Sequence, residues 1–103
     1  MKKFEEMEML TEYARKFGLK EVKNDYEEIR KTRPGSIVFP NGWVASIVEY
    51  EKNNGKYSVA MCDYNGYFDW SILDEYGAYQ GRFICDTELD IIIACETIRR
   101  IGK

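Results

Sequence analysis

Few groups in this chain could do chemistry, and most of them fall in one stretch, Asp63-Tyr64-Asn65-Gly66-Tyr67-Phe68-Asp69. Its spacing of oxygen ligands is loosely that of a calcium loop, but the glycine and the distal glutamate such a loop needs are not in place. An Asn-Gly pair between two aspartates reads instead as a tight hairpin with acids near its ends. The chain has no histidine, which removes the commonest general base near neutral pH and the commonest metal ligand. Cys62, Cys85 and Cys95 lack CxxC spacing and sit among apolar neighbours, where a reduced, buried thiol is the usual case. No glycine-rich phosphate loop, nucleophile elbow or dinucleotide fingerprint occurs. No metal site and no cofactor are expected.

The elements that would carry these residues can be read from periodicity. Phe4, Met7, Leu10, Tyr13, Ala14 and Phe17 recur at steps of three and four, the apolar stripe of a helix that Gly18 should stop. A weaker stripe through Leu19, Val22, Tyr26 and Ile29 predicts a second helix, capped at Asn24 or Asp25 and ended by Pro34-Gly35. Asn-Gly pairs at 41–42, 54–55 and 65–66 each separate runs rich in β-branched and aromatic residues. Tyr79 to Cys85 reads as a fifth strand. Asp86 or Thr87 then caps a last helix with Ile91, Ala94, Cys95, Ile98 and Ile101 as its buried stripe and Gly102 as its stop. The expected fold is one α+β domain over 1–103: helical 3–32, an antiparallel meander 36–85, and a C-terminal helix 87–101. Both helical regions should pack on one face of a four- or five-stranded sheet.

Asn-Gly suits a two-residue type I′ turn, because both central residues need positive φ. Three such turns would set Phe39 opposite Val44, Val48 opposite Met61 and Met61 opposite Trp70. One apolar face would then hold Ile37, Phe39, Val44, Val48, Tyr50, Val59, Met61, Phe68, Trp70 and Ile72. The other would be a mixed face containing Ala45, Ile47 and Ala60. Asp63 falls on the apolar face, opposite Ser46 and Phe68, where a half-buried carboxylate could act as an acid or base. A lone carboxylate with no second catalytic group makes a poor site, however, so a wet position at the sheet rim is preferred. Cys62 falls beside Ile47 and Asp69, and an acid neighbour opposes thiolate formation.

Charge and aromatic content bear on partners. The chain carries a net charge of −3, with eight Tyr, five Phe and two Trp. Between residues 63 and 90 the acids at 63, 69, 74, 75, 86, 88 and 90 face Arg82 alone, so no basic footprint for nucleic acid exists there. Tyr64, Tyr67, Asp69, Asp74, Glu75, Tyr76 and Tyr79 form the candidate partner-binding set, against the plainer reading of a solvated rim with tyrosines packed over the sheet. The expectation is a small non-catalytic protein-binding module whose partner has a basic surface. A sharper version is a phage or mobile-element inhibitor of a nucleic-acid-binding protein, its carboxylates standing where phosphates would sit. The alternatives are a structural subunit that self-associates as a homodimer through the sheet edge or the mixed face, and a small carboxylate-dependent enzyme. With glutamates where a signal peptide is apolar and no long apolar run, no membrane contact and a cytoplasmic location are expected.

Overall fold

Helix and strand lie where the sequence periodicity changes. In this computed structural model, which describes residues 7–19, 31–50 and 56–102, α1 (Glu8–Arg15) is followed by β1 (Gly18–Leu19), β2 (Lys31–Val38), β3 (Trp43–Tyr50), β4 (Lys56–Asp63) and β5 (Phe68–Asp69). A 3-10 helix (Ile72–Tyr76), β6 (Arg82–Cys85) and α2 (Glu88–Arg99) complete the chain. The strands form one antiparallel sheet in the order β1-β2-β3-β4-β5, and β6 pairs with β4 beside β5. Both helices pack on one side of it, so the fold is α+β. Among the described residues no helix is long and apolar enough to cross a membrane.

The expected second helix and the Asn54-Gly55 turn fall on residues 20–30 and 51–55, outside the described residues. The helical stretch 3–32 is nonetheless interrupted, since β1 occupies 18–19 and β2 begins at Lys31. Pro34-Gly35 lies inside β2 rather than after a helix. A register shift between Thr32 and Gly35 accommodates it, because proline cannot donate to a ladder and is tolerated at bulges.

Hairpin geometry departs from expectation in one consistent way. Phe39 N–H donates to Trp43 O at 2.9 Å and Gly42 N–H to Phe39 O at 3.3 Å, so the first loop holds three residues, Pro40-Asn41-Gly42. The β4–β5 loop repeats this with Asp63 N–H to Tyr67 O at 3.0 Å and Gly66 N–H to Asp63 O at 3.1 Å. In both, only the glycine takes positive φ, 95° at Gly42 and 86° at Gly66, the mark of a type I turn closed by a bulge. Tyr50 pairs with Lys56, so the middle connection spans five residues rather than two. Each change slides its pairing by an odd number of residues and reverses which faces match.

The consequence is that β2 and β4 face as expected while β3 and β5 are turned over. Ile37, Phe39, Trp43, Ala45, Ile47, Tyr57, Val59, Met61 and Cys85 form the inner face under the helices. Val44 and Cys62, paired with each other, lie on the outer face with Val38 and Phe68 packed against them. That outer face is buried too: Val44, Ser46 and Cys62 are inaccessible, and Val48, Ser58 and Ala60 nearly so. Ala45 and Ile47 are thus buried on the inner face and Ala60 on the outer one, not side by side on one open face.

The helices are held by contacts distant in sequence. Thr87 and Asp90 make a capping box at the start of α2, with Asp90 N–H donating to Thr87 Oγ1 at 3.2 Å. Helix α1 has no side-chain cap of its own. Glu88 from α2 accepts from Leu10 N–H at 2.7 Å in its place. Glu96 accepts from the Tyr13 hydroxyl at 2.6 Å and from Arg99 Nε at 2.5 Å, joining the two helices again. The end of α2 is closed by a hairpin loop rather than by Gly102. Asn41 Nδ2 donates to the carbonyls of Ile98 and Arg99 in the last turn of α2 at 2.8 and 2.9 Å, where a helix leaves acceptors without the usual partners, and to Ile101 O just beyond it at 2.9 Å.

Candidate functional site

The candidate residues between Tyr64 and Tyr79 sit on three short elements whose geometry their own carboxylates fix. Asp63 closes the β4–β5 loop, its Oδ1 accepting from Asn65 N–H at 2.8 Å and Tyr67 N–H at 3.0 Å. It stands opposite Trp43, not Ser46, and its carboxylate closes the turn. Asp69 Oδ1 accepts from Ser71 N–H, Ser71 Oγ and Ile72 N–H, each at 3.0 Å. The backbone bonds from Ile72 and Ser71 hold its carboxyl below its ordinary range, so it stays ionised while it starts the 3-10 helix.

The 3-10 helix is pinned by Leu73, which is fully buried, and ends at Gly77 with φ 92°. It leaves Asp74, Glu75 and Tyr76 exposed. Asp74 Oδ1 accepts from Gly81 N–H at 2.7 Å, tying the helix to the following turn. That turn joins Tyr79 to Arg82 through two backbone bonds of 2.9 and 3.2 Å. Its central residues, Gln80 (φ 51°) and Gly81 (φ 81°), both have positive φ. It is thus the type I′ turn expected at the Asn-Gly pairs.

The structure joins Asp69, Asp74, Glu75, Tyr76 and Tyr79 through this helix and turn. Tyr67 stands on the neighbouring loop and is 74% exposed; Tyr79 is 68% exposed. Tyr64 is drawn elsewhere, its hydroxyl donating to Phe39 O, so it braces two loops while half its ring stays open. Glu75 is the acid of this set that makes no bond among the described residues. Sequence reasoning missed Trp70, placed on the covered face by the inferred register. It is 49% exposed, stacked on Phe68 with centroids 5.0 Å apart and planes 8° apart. Gly81 lies directly under it, since a Cβ there would be 2.7 Å from Trp70 Cα. Only the true register of β5 would have revealed this pair.

Reactive chemistry is poorly served. All three cysteines are buried and free. Burial, with Asp90 and Asp86 nearby, pushes the Cys85 thiol up to about 12, and burial likewise raises Cys95, so both remain protonated and unreactive. Cys62 lies between Val44 and Phe68 rather than beside Ile47 and Asp69. Among the described residues no three His, Cys, Asp or Glu side chains converge as metal ligands would. The arrangement offers rigid aromatic area with one unengaged acid and two engaged ones. No family model, no curated protein and no solved structure matches this chain.

Proposed function

We propose that this protein is a non-catalytic binding module that docks on a basic protein surface through Tyr64, Tyr67, Asp69, Asp74, Glu75, Tyr76 and Tyr79, with Trp70 among them. The observation that carries the reading is the exposure of five large aromatic rings along one 16-residue stretch (64–79) whose backbone is fixed by carboxylate–amide bonds. Tyrosine and tryptophan supply contact area at low entropic cost, and exposed apolar patches of this kind mark interaction sites. Rigid loops lower the cost of ordering on binding. Between residues 63 and 90 the acids outnumber Arg82, the one basic residue of that stretch, seven to one, which favours a basic partner. A nucleic-acid-binding protein, inhibited by carboxylates in place of phosphates, fits that charge. Engagement of Asp63, Asp69 and Asp74 by backbone amides supports a non-catalytic role, and three free cysteines support a cytoplasmic setting.

The test is affinity capture from the native host with wild-type protein and a Tyr67→Ser, Tyr76→Ser, Tyr79→Ser variant. A nucleic-acid-binding protein should be retained by the first and lost by the second, with the melting temperature nearly unchanged because these side chains hold nothing in the fold. Glu75→Gln should weaken capture and reduce its salt sensitivity. Asp69 and Asp74 are unsuitable probes, since removing either also unties a turn. Retention of the same partner by the tyrosine variant would refute the proposal.

A further inference from the structure

We infer that the indole of Trp70 is the seat for an arginine side chain of the basic partner, whose guanidinium stacks on the ring and meets the carboxylates of the 3-10 helix that follows it. This seat rests on the docking role proposed above and specifies the cation that role selects. Trp70 lies between β5 and the 3-10 helix. One side of its ring meets Phe68 in a parallel stack, with centroids 5.0 Å apart and planes 8° apart. Phe68 in turn packs on Val44 and Cys62 of the outer sheet face, so the stack is anchored in the fold. Trp70 is nonetheless 49% exposed, and with Phe68 on one side that exposure falls on the other face and the outer edge. Gly81 keeps the ring clear, since a Cβ there would come within 2.8 Å of Trp70 Cε3. A flat, anchored ring with an open face is a platform for a cation.

Charge and shape decide the occupant. Asp74 Oδ1 accepts from Gly81 N–H at 2.7 Å, and Gly81 touches the indole, so a single residue links this carboxylate to the ring. The second oxygen of Asp74 makes no bond among the described residues, and neither does Glu75 in the same helix. Among those residues Phe68 is also the one ring or cation that Trp70 meets. A neutral ligand such as proline would cover the indole but leave both carboxylates with nothing to bind. Lysine would answer the charge as a compact, strongly hydrated point. A guanidinium is planar, so it extends the parallel Phe68–Trp70 stack, and its edge carries fixed N–H pairs that fit a carboxylate.

Two labelled peptides of equal length and charge test the seat, one alternating glycine with arginine and the other glycine with lysine. Fluorescence anisotropy at low ionic strength should show the full chain binding the arginine peptide about fivefold more tightly than the lysine peptide. Trp70→Leu should bind the two equally, and Trp70→Tyr, which keeps a flat ring, should keep the preference. Trp43 is only 8% exposed, so a change in indole emission when the arginine peptide binds the wild type reports Trp70. Equal binding of both peptides by the wild type would overturn the arginine seat while leaving the acidic docking surface in place. So would a Trp70→Leu protein, folded by circular dichroism, that still prefers arginine. Where that variant does not fold, an arginine peptide that binds the wild type without altering its emission overturns the seat. Binding of neither peptide would overturn it too, and would count against the docking role as well.

Discussion

Asn41 holds the first hairpin loop and the end of α2 together, and its replacement gives the sharpest test of how this fold closes. The amide has two hydrogens shared among three carbonyls at 2.8–2.9 Å, while its Oδ1 accepts from Trp43 N–H at 3.0 Å. Counting two full donor bonds and one acceptor bond at about 1 kcal/mol each, Asn41→Ala should cost about 2–3 kcal/mol. For a domain of this size that lowers the melting temperature by roughly 10–20 °C. Asn41→Asp is more telling. It keeps the acceptor for Trp43 but aims a carboxylate at three carbonyl oxygens and the negative pole of α2. At neutral pH it should be no more stable than Asn41→Ala. The new carboxyl would have a folded pKa above its unfolded one, so its penalty applies at high pH and is relieved as pH falls through that value. Thermal melts of the three proteins at neutral pH and near pH 4 measure this. An Asn41→Ala melting point within about 3 °C of wild type, or Asn41→Asp more stable than Asn41→Ala at neutral pH, would refute the capping role.

Two further outcomes follow from the same contacts. Arg99, and then the Tyr13 hydroxyl, hold the Glu96 carboxyl at about 2 against an ordinary 4.5. Because this folded value is depressed, its stabilisation is present above about pH 4.5 and is lost as pH falls toward 2. Glu96 is 32% exposed, so solvent screening reduces the effect to about 1–2 kcal/mol. Urea melts should show Glu96→Gln trailing wild type at neutral pH and matching it near pH 2; an equal gap at both would refute the linkage. Gly81 and Gly77 separate strain from crowding. Both have positive φ, but a Cβ at 81 meets Trp70 Cα at 2.7 Å while one at 77 meets nothing within 4 Å. Gly77→Ala should cost about 1 kcal/mol and Gly81→Ala about 2–4 kcal/mol, with a change in Trp70 fluorescence; equal losses would contradict the packing described.

Local signals in this sequence were reliable where their physics is local. The Thr87–Asp90 box, the apolar stripe of α2, the stop at 40–42 and the reversal at 64–66 are all written in neighbouring residues. Residue composition also marked Tyr64 to Tyr79 as the place where aromatics and acids gather. What those signals did not carry was loop length. Asn-Gly fits a two-residue turn with both φ positive and equally a three-residue loop with only the glycine positive, and the two differ by one residue in register. Alternation of hydrophobicity would ordinarily choose between them. Here β3 and β4 are buried on both faces, and runs such as Val44-Ala45-Ser46-Ile47-Val48 present an apolar side in either register.

The amino-acid sequence by itself thus determined the class of fold, the capped start of α2 and the stretch of chain where aromatics and acids gather, because helix caps, turn residues and periodicity act over a few residues. Tertiary structure decided which side of β3 and β5 faces the helices, that Asp63, Asp69 and Asp74 bind their own backbone, and that Trp70 is open to solvent. It also supplied the bonds of Asn41 to the end of α2, of Glu88 to Leu10 and of Glu96 to Tyr13, each spanning more than 50 residues. Pairing register and long-range hydrogen bonds depend on the whole sheet closing against both helices, and no window of neighbouring residues contains that information.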